Sequence, residues 1–539
     1  MELAHDGSRG TGPSGLLGAG PPATGGTGLA VLPELARAVF SELARLQLAE
    51  LAWLSCQNWP EWSSRSWPAA CRSARKEVYM DKATTRGEAL EKFGKICRKI
   101  EETMFSAKVP GASLGIFLDG EILSTGLGVT SVDNALPVDD QTLFQIGSIT
   151  KTFVATVIMR LLEREQLSLD EPVKNYLDDL KLSDQEANDK LTLRNILTHT
   201  CGFTGDYFHD LGFGNDALAE IVKELKDLPQ NYPLGKLFSY CNSGYYVAGR
   251  VIEAVTGKPF EAATRELVFD PLNMRDAFFF PWDVMTHRFA VGHHNQDGTT
   301  VLARPWEIGR SAHPAGGIVT NVRDLLKYAE FHCGDGTAKS GQRMLSQDSL
   351  QQMQEPGIQI NPGARIGLSW FVTSVGKEKL ISHGGGTNGQ ICEMVIAPEK
   401  RLATVALTNS ASGSAITGLF SKLVFEEFLG LAQEELPAIE VAKEAMQEYL
   451  GRYAGEISDV ELFLEDGKIM MRVISKGGFP DRDSPPFPPA PPLEVGFVGE
   501  DTIAPTESRY ETSCMRFLRD DDGEVTILQT GRLFRKIDH

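Results

Sequence analysis

The sequence predicts an α+β fold: one antiparallel sheet flanked by helices, a helical lobe beside it, and a small antiparallel β unit after it. Three observations carry this. Strand-like apolar runs stand at residues 112–128 and again at 367–408, with helices and turns between, so one sheet closed by two distant chain halves is expected. A helical apolar stripe opens at Ser148. Two Asp-Gly turns between apolar runs follow residue 439.

Composition sets the outer bounds. A chain of 539 residues exceeds the usual size of one core, so two folded units plus tails are expected. Apolar residues at 42% and charged residues at 23% are ordinary for a soluble globular protein. A net charge of -19 argues against a nucleic-acid partner, because phosphate binding needs a concentrated basic surface. The eight cysteines (Cys56, Cys71, Cys97, Cys201, Cys241, Cys333, Cys392 and Cys514) lack CxxC pairs and metal-type spacing. They read as reduced thiols in a reducing compartment.

No apolar run is long enough to span a bilayer. Leu29–Leu54 is apolar, but Glu34, Arg37, Glu42, Arg45 and Glu50 interrupt it at helical intervals. That pattern makes an amphipathic helix and not a signal-peptide core, and no basic n-region precedes it. A cytoplasmic protein without a membrane partner is the expectation.

The elements then follow in order. Residues 1–28 are rich in Gly, Pro, Ser and Thr and are expected to be disordered; with 29–79 they form an N-terminal extension expected to be dispensable. The main domain is assigned to 80–438. A helix at 84–107 repeats Leu90, Phe93, Ile96, Ile100 and Met104. A hairpin follows, Ala112–Leu118 and Glu121–Gly128 around Asp119-Gly120. Ser148–Glu165 is the second helix, with Phe153, Val154, Val157, Ile158, Leu161 and Leu162 on one face. Strands are expected at Gly367–Ser374, Lys379–Ser382, Gln390–Ala397 and Leu402–Thr408, then a helix from Ala415 to Leu429. The second unit, 439–539, holds hairpins around Asp466-Gly467 and Asp522-Gly523, while Pro480–Pro492 cannot be a strand.

The chemistry begins with a tetrad, Ser148-Ile149-Thr150-Lys151, of the form S-x-x-K. Ser73–Lys76 and Ser374–Lys377 share that form, so context decides. Only Ser148 follows a glycine, Gly147, and opens an amphipathic helix, which puts Ser148 and Lys151 one turn apart on one face. A helix start also offers free N–H groups to a developing anion. A serine hydroxyl needs its proton removed, and a lysine with a lowered pKa can do it. The competing reading of such a tetrad is a helix-capping serine beside a solvated lysine.

Tyr240-Cys241-Asn242, the single Y-x-N of the chain, tips that balance. A Tyr240 phenolate or a Tyr–Lys pair can shuttle the proton, and the Asn242 amide can accept from a lysine and donate to a substrate carbonyl. The third element is a strand edge bearing a basic residue before glycine. Lys339-Ser340-Gly341 is rejected as a loop, and Lys476-Gly477-Gly478 lies in the second unit. His383-Gly384-Gly385-Gly386 follows a strand directly, and its glycines let substrate lie against the backbone. The N–H groups of Gly386 and Ser148 would form an oxyanion hole, with His383 and Gly385 in the binding strip.

SITK at a helix start, then YCN, then HGGG resembles the class C β-lactamase and penicillin-binding-protein-like serine hydrolases, including the family VIII carboxylesterase and D-aminopeptidase-like branches. The runs Leu169–Val173, Ile196–Gly202 and Pro314–Gly317 are also similar to that family, over about residues 85–430. The resemblance implies a β-lactamase/transpeptidase-like sheet, an acylated Ser148, and Lys151 and Tyr240 sharing general-base and general-acid work. His383 stands where true β-lactamases have lysine, and Gly384 lacks the hydroxyl that helps hold a β-lactam carboxylate. Ester or amide hydrolysis, on small esters, amides or short peptides, is therefore expected above β-lactam hydrolysis. Acyl transfer, and an assembling scaffold without turnover, are the alternatives; a homo-oligomer is compatible with either.

The remaining candidates read as structural. His199 and His313 belong to family-like runs and are expected to organise the site floor and a loop. His293-His294 lacks further ligands at metal spacing, so no metal and no cofactor are expected. Phe278–Trp282 reads as core or pocket lining.

Overall fold

A computed structural model describes residues 82–487 and 491–537. The extension 1–79, the expected helix at Leu29–Leu54 and the tetrad Ser73–Lys76 lie outside them. Five helices frame the fold: α1 (Lys82–Ala107), α2 (Thr150–Glu163), α3 (Ser243–Thr256), α4 (Val322–His332) and α5 (Ser414–Leu429). On α1, Phe93, Ile96, Ile100 and Met104 are buried as their spacing predicts; Leu90 is half exposed because Ala89 takes the inward position.

Eight antiparallel strands make the main sheet. They are β1 (Gly111–Leu118), β2 (Glu121–Gly128), β3 (Ile358–Asn361), β4 (Ala364–Ile366), β5 (Phe371–Val375), β6 (Glu378–Thr387), β7 (Gln390–Ala397) and β8 (Leu402–Thr408). Their order is β2-β1-β8-β7-β6-β5-β4-β3. The two chain halves meet where β1 pairs with β8, from Ala112 opposite Thr408 to Leu118 opposite Leu402. Helices cover both faces, which explains why all seven residues of β8 are buried with no polar alternation. Ala112, Leu114 and Ile116 pack with α1 and α5, in a cluster holding Phe93, Ile100, Ile416 and Phe420. Phe117, Val405 and Leu407 pack on the other side with α2, α3 and α4. Each such side chain contributes roughly 1.5–3 kcal/mol on full burial.

Two local departures from the expected strands have physical causes. The strand expected from Gly367 starts only at Phe371. Gly367 N–H donates to Trp370 O at 2.8 Å, and Ser369 is left-handed at φ 68°, so 367–370 is a turn. In the other direction, β6 runs on past Ser382 through His383–Gly386. A Cβ on Gly385 would lie 1.9 Å from the Ile146 carbonyl oxygen, so the strand keeps its path only because glycine stands there.

The second unit is a closed antiparallel barrel of β9 (Gly451–Ala454), β10 (Ser458–Glu465), β11 (Lys468–Ser475), β12 (Leu493–Gly499), β13 (Thr502–Pro505), β14 (Met515–Arg519), β15 (Val525–Gln529) and β16 (Leu533–Ile537). The two Asp-Gly hairpins are β10–β11 and β14–β15. Closure leaves no free sheet edge. No helix among the described residues is long and apolar enough to cross a membrane.

Candidate active site

Ser148 sits in a single tight turn, Gly147–Ile149, that leads into α2. The turn is held against β6. Gly147 is left-handed at φ 52°, and a Cβ on it would lie 2.7 Å from Gly386 N. Serine 148 thus starts a helix within reach of the glycine strip.

Lys151 is fully buried on α2. Its Nζ lies 2.7 Å from Asn242 Oδ1, 2.6 Å from Ala315 O and 3.1 Å from Ser148 Oγ. Two of these neighbours can only accept; the third can also donate. Burial pushes the Lys151 pKa well below its ordinary value, and the Arg532 guanidinium pushes the same way against the Asp206 carboxylate. A neutral amine satisfies the geometry: two N–H groups go to Asn242 and Ala315, and the lone pair faces the Ser148 hydroxyl.

Tyr240 flanks the same nitrogen, its ring centre 5.0 Å from Lys151 Nζ. Burial raises the phenol pKa, with the Ser148 hydrogen bond and Arg532 opposing, so Tyr240 is a phenol and not a phenolate. Of the two proton-shuttle forms open at the sequence level, the protonated one fits. His199 stacks on Tyr240 at 4.3 Å between ring centres. Its Nδ1 accepts from Cys241 N–H at 2.9 Å, and burial holds its pKa well below the ordinary value. It lies against the Tyr240 ring and does not line the cavity.

Asn242 Nδ2 donates to Asp206 Oδ1 at 2.7 Å, which leaves one amide hydrogen for other work. His383 is buried, and its Nδ1 donates to Gly384 O at 2.5 Å. Burial, aided by Lys151, pushes its pKa down to about 3, so it is neutral and Nε2 is a lone-pair acceptor without a protein partner. The turn Asn388-Gly389 closes β6 on β7 with Thr387 opposite Gln390, and Gly386 opposite Ile391. In a two-residue hairpin the closing pair is hydrogen-bonded and the next is not. Gly386 N–H is therefore turned away from β7, and β5 ends opposite Ser382. Gly384 and Gly386 line the cavity; Gly385 packs on Ile146 instead.

That cavity measures about 580 Å³. Phe208, Trp306, Ile308, Phe371, Ile391 and Phe479 give it apolar walls around Ser148. Part of the wall comes from barrel loops: Ile457, Phe479, Pro480, Asp481, Gly531 and Arg532. Gly531 O accepts from Tyr240 N–H at 3.1 Å. Arg532 Nη2 donates to Asp206 Oδ1 at 2.9 Å, and Nε donates to Oδ2. Glu456, on the β9–β10 loop, accepts from Gly205 N–H at 2.9 Å and from Asp206 N–H at 2.6 Å.

Asp206, Glu456 and Arg532 escaped the sequence reading. Asp206 stands 36 residues before Asn242 and 326 before Arg532, with no spacing that ties them. Left-handed Gly531 before Arg532 parallels Gly147 before Ser148, which is the one local hint. His313 Nδ1 lies 2.7 Å from Glu261 in a buried Arg310–Glu261–His313 cluster, and His293 bonds only backbone groups. No group of three or more metal-type side chains comes together among the described residues.

Comparison with known proteins bears on the family. The sequence model of the family described as Beta-lactamase matches residues 96–418. Penicillin-binding protein 4 of Amycolatopsis lactamdurans is 32% identical over 343 residues, which are 61% of this chain and 88% of that protein. The crystal structure of SurE aligns with TM-score 0.63 at 24% identity, over 83% of this chain and 99% of SurE. An octameric penicillin-binding protein homologue from Pyrococcus abyssi aligns with TM-score 0.55 at 24% identity, over 82% and 99%.

Proposed function

The chain belongs to the beta-lactamase family, and on that premise we propose that it hydrolyses esters or amides with a bulky apolar acyl group through an acyl-Ser148 intermediate. The observation that carries this reading is the surroundings of Lys151 Nζ, buried with two pure acceptors at 2.7 and 2.6 Å and Ser148 Oγ at 3.1 Å, a set that a neutral amine fills by accepting from the serine. Ser148 Oγ attacks the acyl carbon while its proton passes to Lys151. The oxyanion is held by the N–H groups of Ser148 and Gly386. Tyr240 O–H delivers a proton to the leaving oxygen or nitrogen and is reprotonated from Lys151. Water, activated by the same pair, then releases the acid.

The apolar walls support a large acyl group, and neutral His383 with Gly384 supports esters over β-lactams. A D-configured amide belongs to the same proposal, since SurE has been crystallised with D-Leu. The octameric state of the Pyrococcus abyssi homologue supports a homo-oligomer here, and a monomer by light scattering removes that part. A scaffold without turnover would have no use for a buried lysine paired to a serine.

The test has two arms. Ser148→Ala is expected to lose labelling by a fluorophosphonate, and unchanged labelling refutes the assignment. A panel of p-nitrophenyl acyl esters, D-amino-acid anilides and nitrocefin is expected to rank esters first, and nitrocefin turning over fastest overturns that order.

A further inference from the structure

Arg532 is the one lysine or arginine among the described residues that line the cavity. Asp206 takes its Nε and one hydrogen of Nη2. Nη1 makes no hydrogen bond to the protein, and the side chain is 40% exposed where it lines the cavity. Its guanidinium carbon lies 5.1 Å from the Tyr240 ring centre. The guanidinium therefore lies over the ring of the phenol to which the proposed mechanism assigns the leaving group.

The other charged groups of the cavity do not compete for that position. His383, where a cationic side chain would otherwise stand, is neutral. Asp210 Oδ1 accepts from Gly212 N–H at 2.8 Å, and Asp481 accepts from the N–H groups of Asp210 and Asp483 at 2.7 and 3.0 Å. Asp210 and Glu307 are exposed, where water screens them. A planar guanidinium with free N–H groups on a half-exposed edge is suited to a carboxylate, which it holds in a charge-assisted bond.

Resting on the acyl-serine reading above, we propose that Arg532 is a carboxylate subsite supplied by the barrel, and that the preferred substrates carry a carboxylate on the group that leaves. The substrate class is then an apolar acyl group joined through an ester or amide to a carboxylate-bearing alcohol, phenol or amine. The bond broken is the acyl C–O or C–N bond, the leaving atom takes its proton from Tyr240, and the carboxylate stays on Arg532 until product departs.

The experiment compares 4-(octanoyloxy)benzoate with its neutral isostere 4-(octanoyloxy)benzamide on the full chain. Wild type is expected to favour the benzoate in kcat/KM by about ten- to a hundredfold, chiefly through KM. Arg532→Gln is expected to erase that ratio, with Arg532→Lys between. Equal turnover of the two esters by wild type, or an Arg532→Gln variant that keeps the wild-type benzoate-to-benzamide ratio in kcat/KM whatever its effect on both esters together, overturns the proposal. Should the variants fail to fold, competitive inhibition of wild type by 4-hydroxybenzoate against 4-hydroxybenzamide reads the same subsite, and parity overturns it. Tighter binding of the benzoate without turnover of either ester would sink the acyl-serine reading and leave the subsite standing.

Discussion

The two walls of the cavity are built by different rules. In the hydrolase domain the groups around Ser148 stand on regular elements, with Ser148 and Lys151 at the start of α2, Asn242 at the start of α3 and His383–Gly386 on β6, while Tyr240, Phe208 and Trp306 come from loops. Ser148 and Lys151 are held by a helix whose Ile149, Phe153 and Val154 belong to the core. The barrel wall is made of loop tips, Glu456–Ile457, Phe479–Asp481 and Gly531–Arg532, carried on a closed frame. Loops can change without disturbing the frame beneath them. Under the proposed function the contrast is a division of labour, with bond-breaking in one domain and choice of substrate shared with the other.

That division can be broken most sharply at the two glycines that precede Ser148 and Arg532. Gly147→Ala forces a Cβ to within 2.7 Å of Gly386 N and 2.9 Å of its carbonyl, prising apart the two N–H donors. The expected loss in kcat on a neutral ester is about 10²–10³-fold, measured at saturation with folding checked by circular dichroism. Gly531→Ala meets nothing within 4 Å, so only its left-handed backbone, φ 91°, resists. It is expected to cost about 1 kcal/mol of stability with little change in kcat on the neutral ester. Equal losses in the two variants would erase the distinction.

Next in size is Phe479→Ala. Phe479 meets Phe208 edge to face at 5.1 Å across the cavity wall. Its loss is expected to raise KM for p-nitrophenyl octanoate by roughly tenfold while leaving p-nitrophenyl acetate unchanged, because the removed contact is apolar. A parallel change on both esters would assign Phe479 to support of the catalytic groups and not to acyl choice.

The third test links the walls through charge. On the proposed mechanism Lys151 takes the Ser148 proton only when neutral, so kcat/KM should fall as pH drops through its lowered pKa. His383, at about 3, is already neutral above that value and cannot supply this limb. Arg532 is a cause of the Lys151 shift, so Arg532→Gln should raise the Lys151 pKa and move the acid limb to higher pH. A limb that stays in place would show that burial alone sets it, and that the barrel contributes nothing to the base.

The same contrast explains what could be read from the sequence. Ser148–Lys151 and Tyr240–Asn242 are pairs at local spacing on one helix start and one turn, so residue type and interval announce them. Leu402–Thr408 and Gln390–Ala397 announce themselves as strands through β-branched, apolar composition. The turn at 367–370 did not, because it depends on Ser369 N–H reaching Leu197 O at 2.8 Å, a contact between distant segments. Asp206 and Arg532 are common surface residue types until folding brings them together. Their meaning lies in a contact that no interval encodes.

The pairing of β1 with β8 bears on how the molecule is made. Ala112 must wait for Thr408, about 300 residues later, which at ribosomal speed is roughly 15–60 s. During that time β1, with seven of its eight residues destined for burial, has β2 on one edge and nothing on the other. An apolar strand with a bare edge is a template for pairing with another chain. Synonymous codons that slow elongation before residue 408 should therefore lower its soluble yield without altering a single side chain.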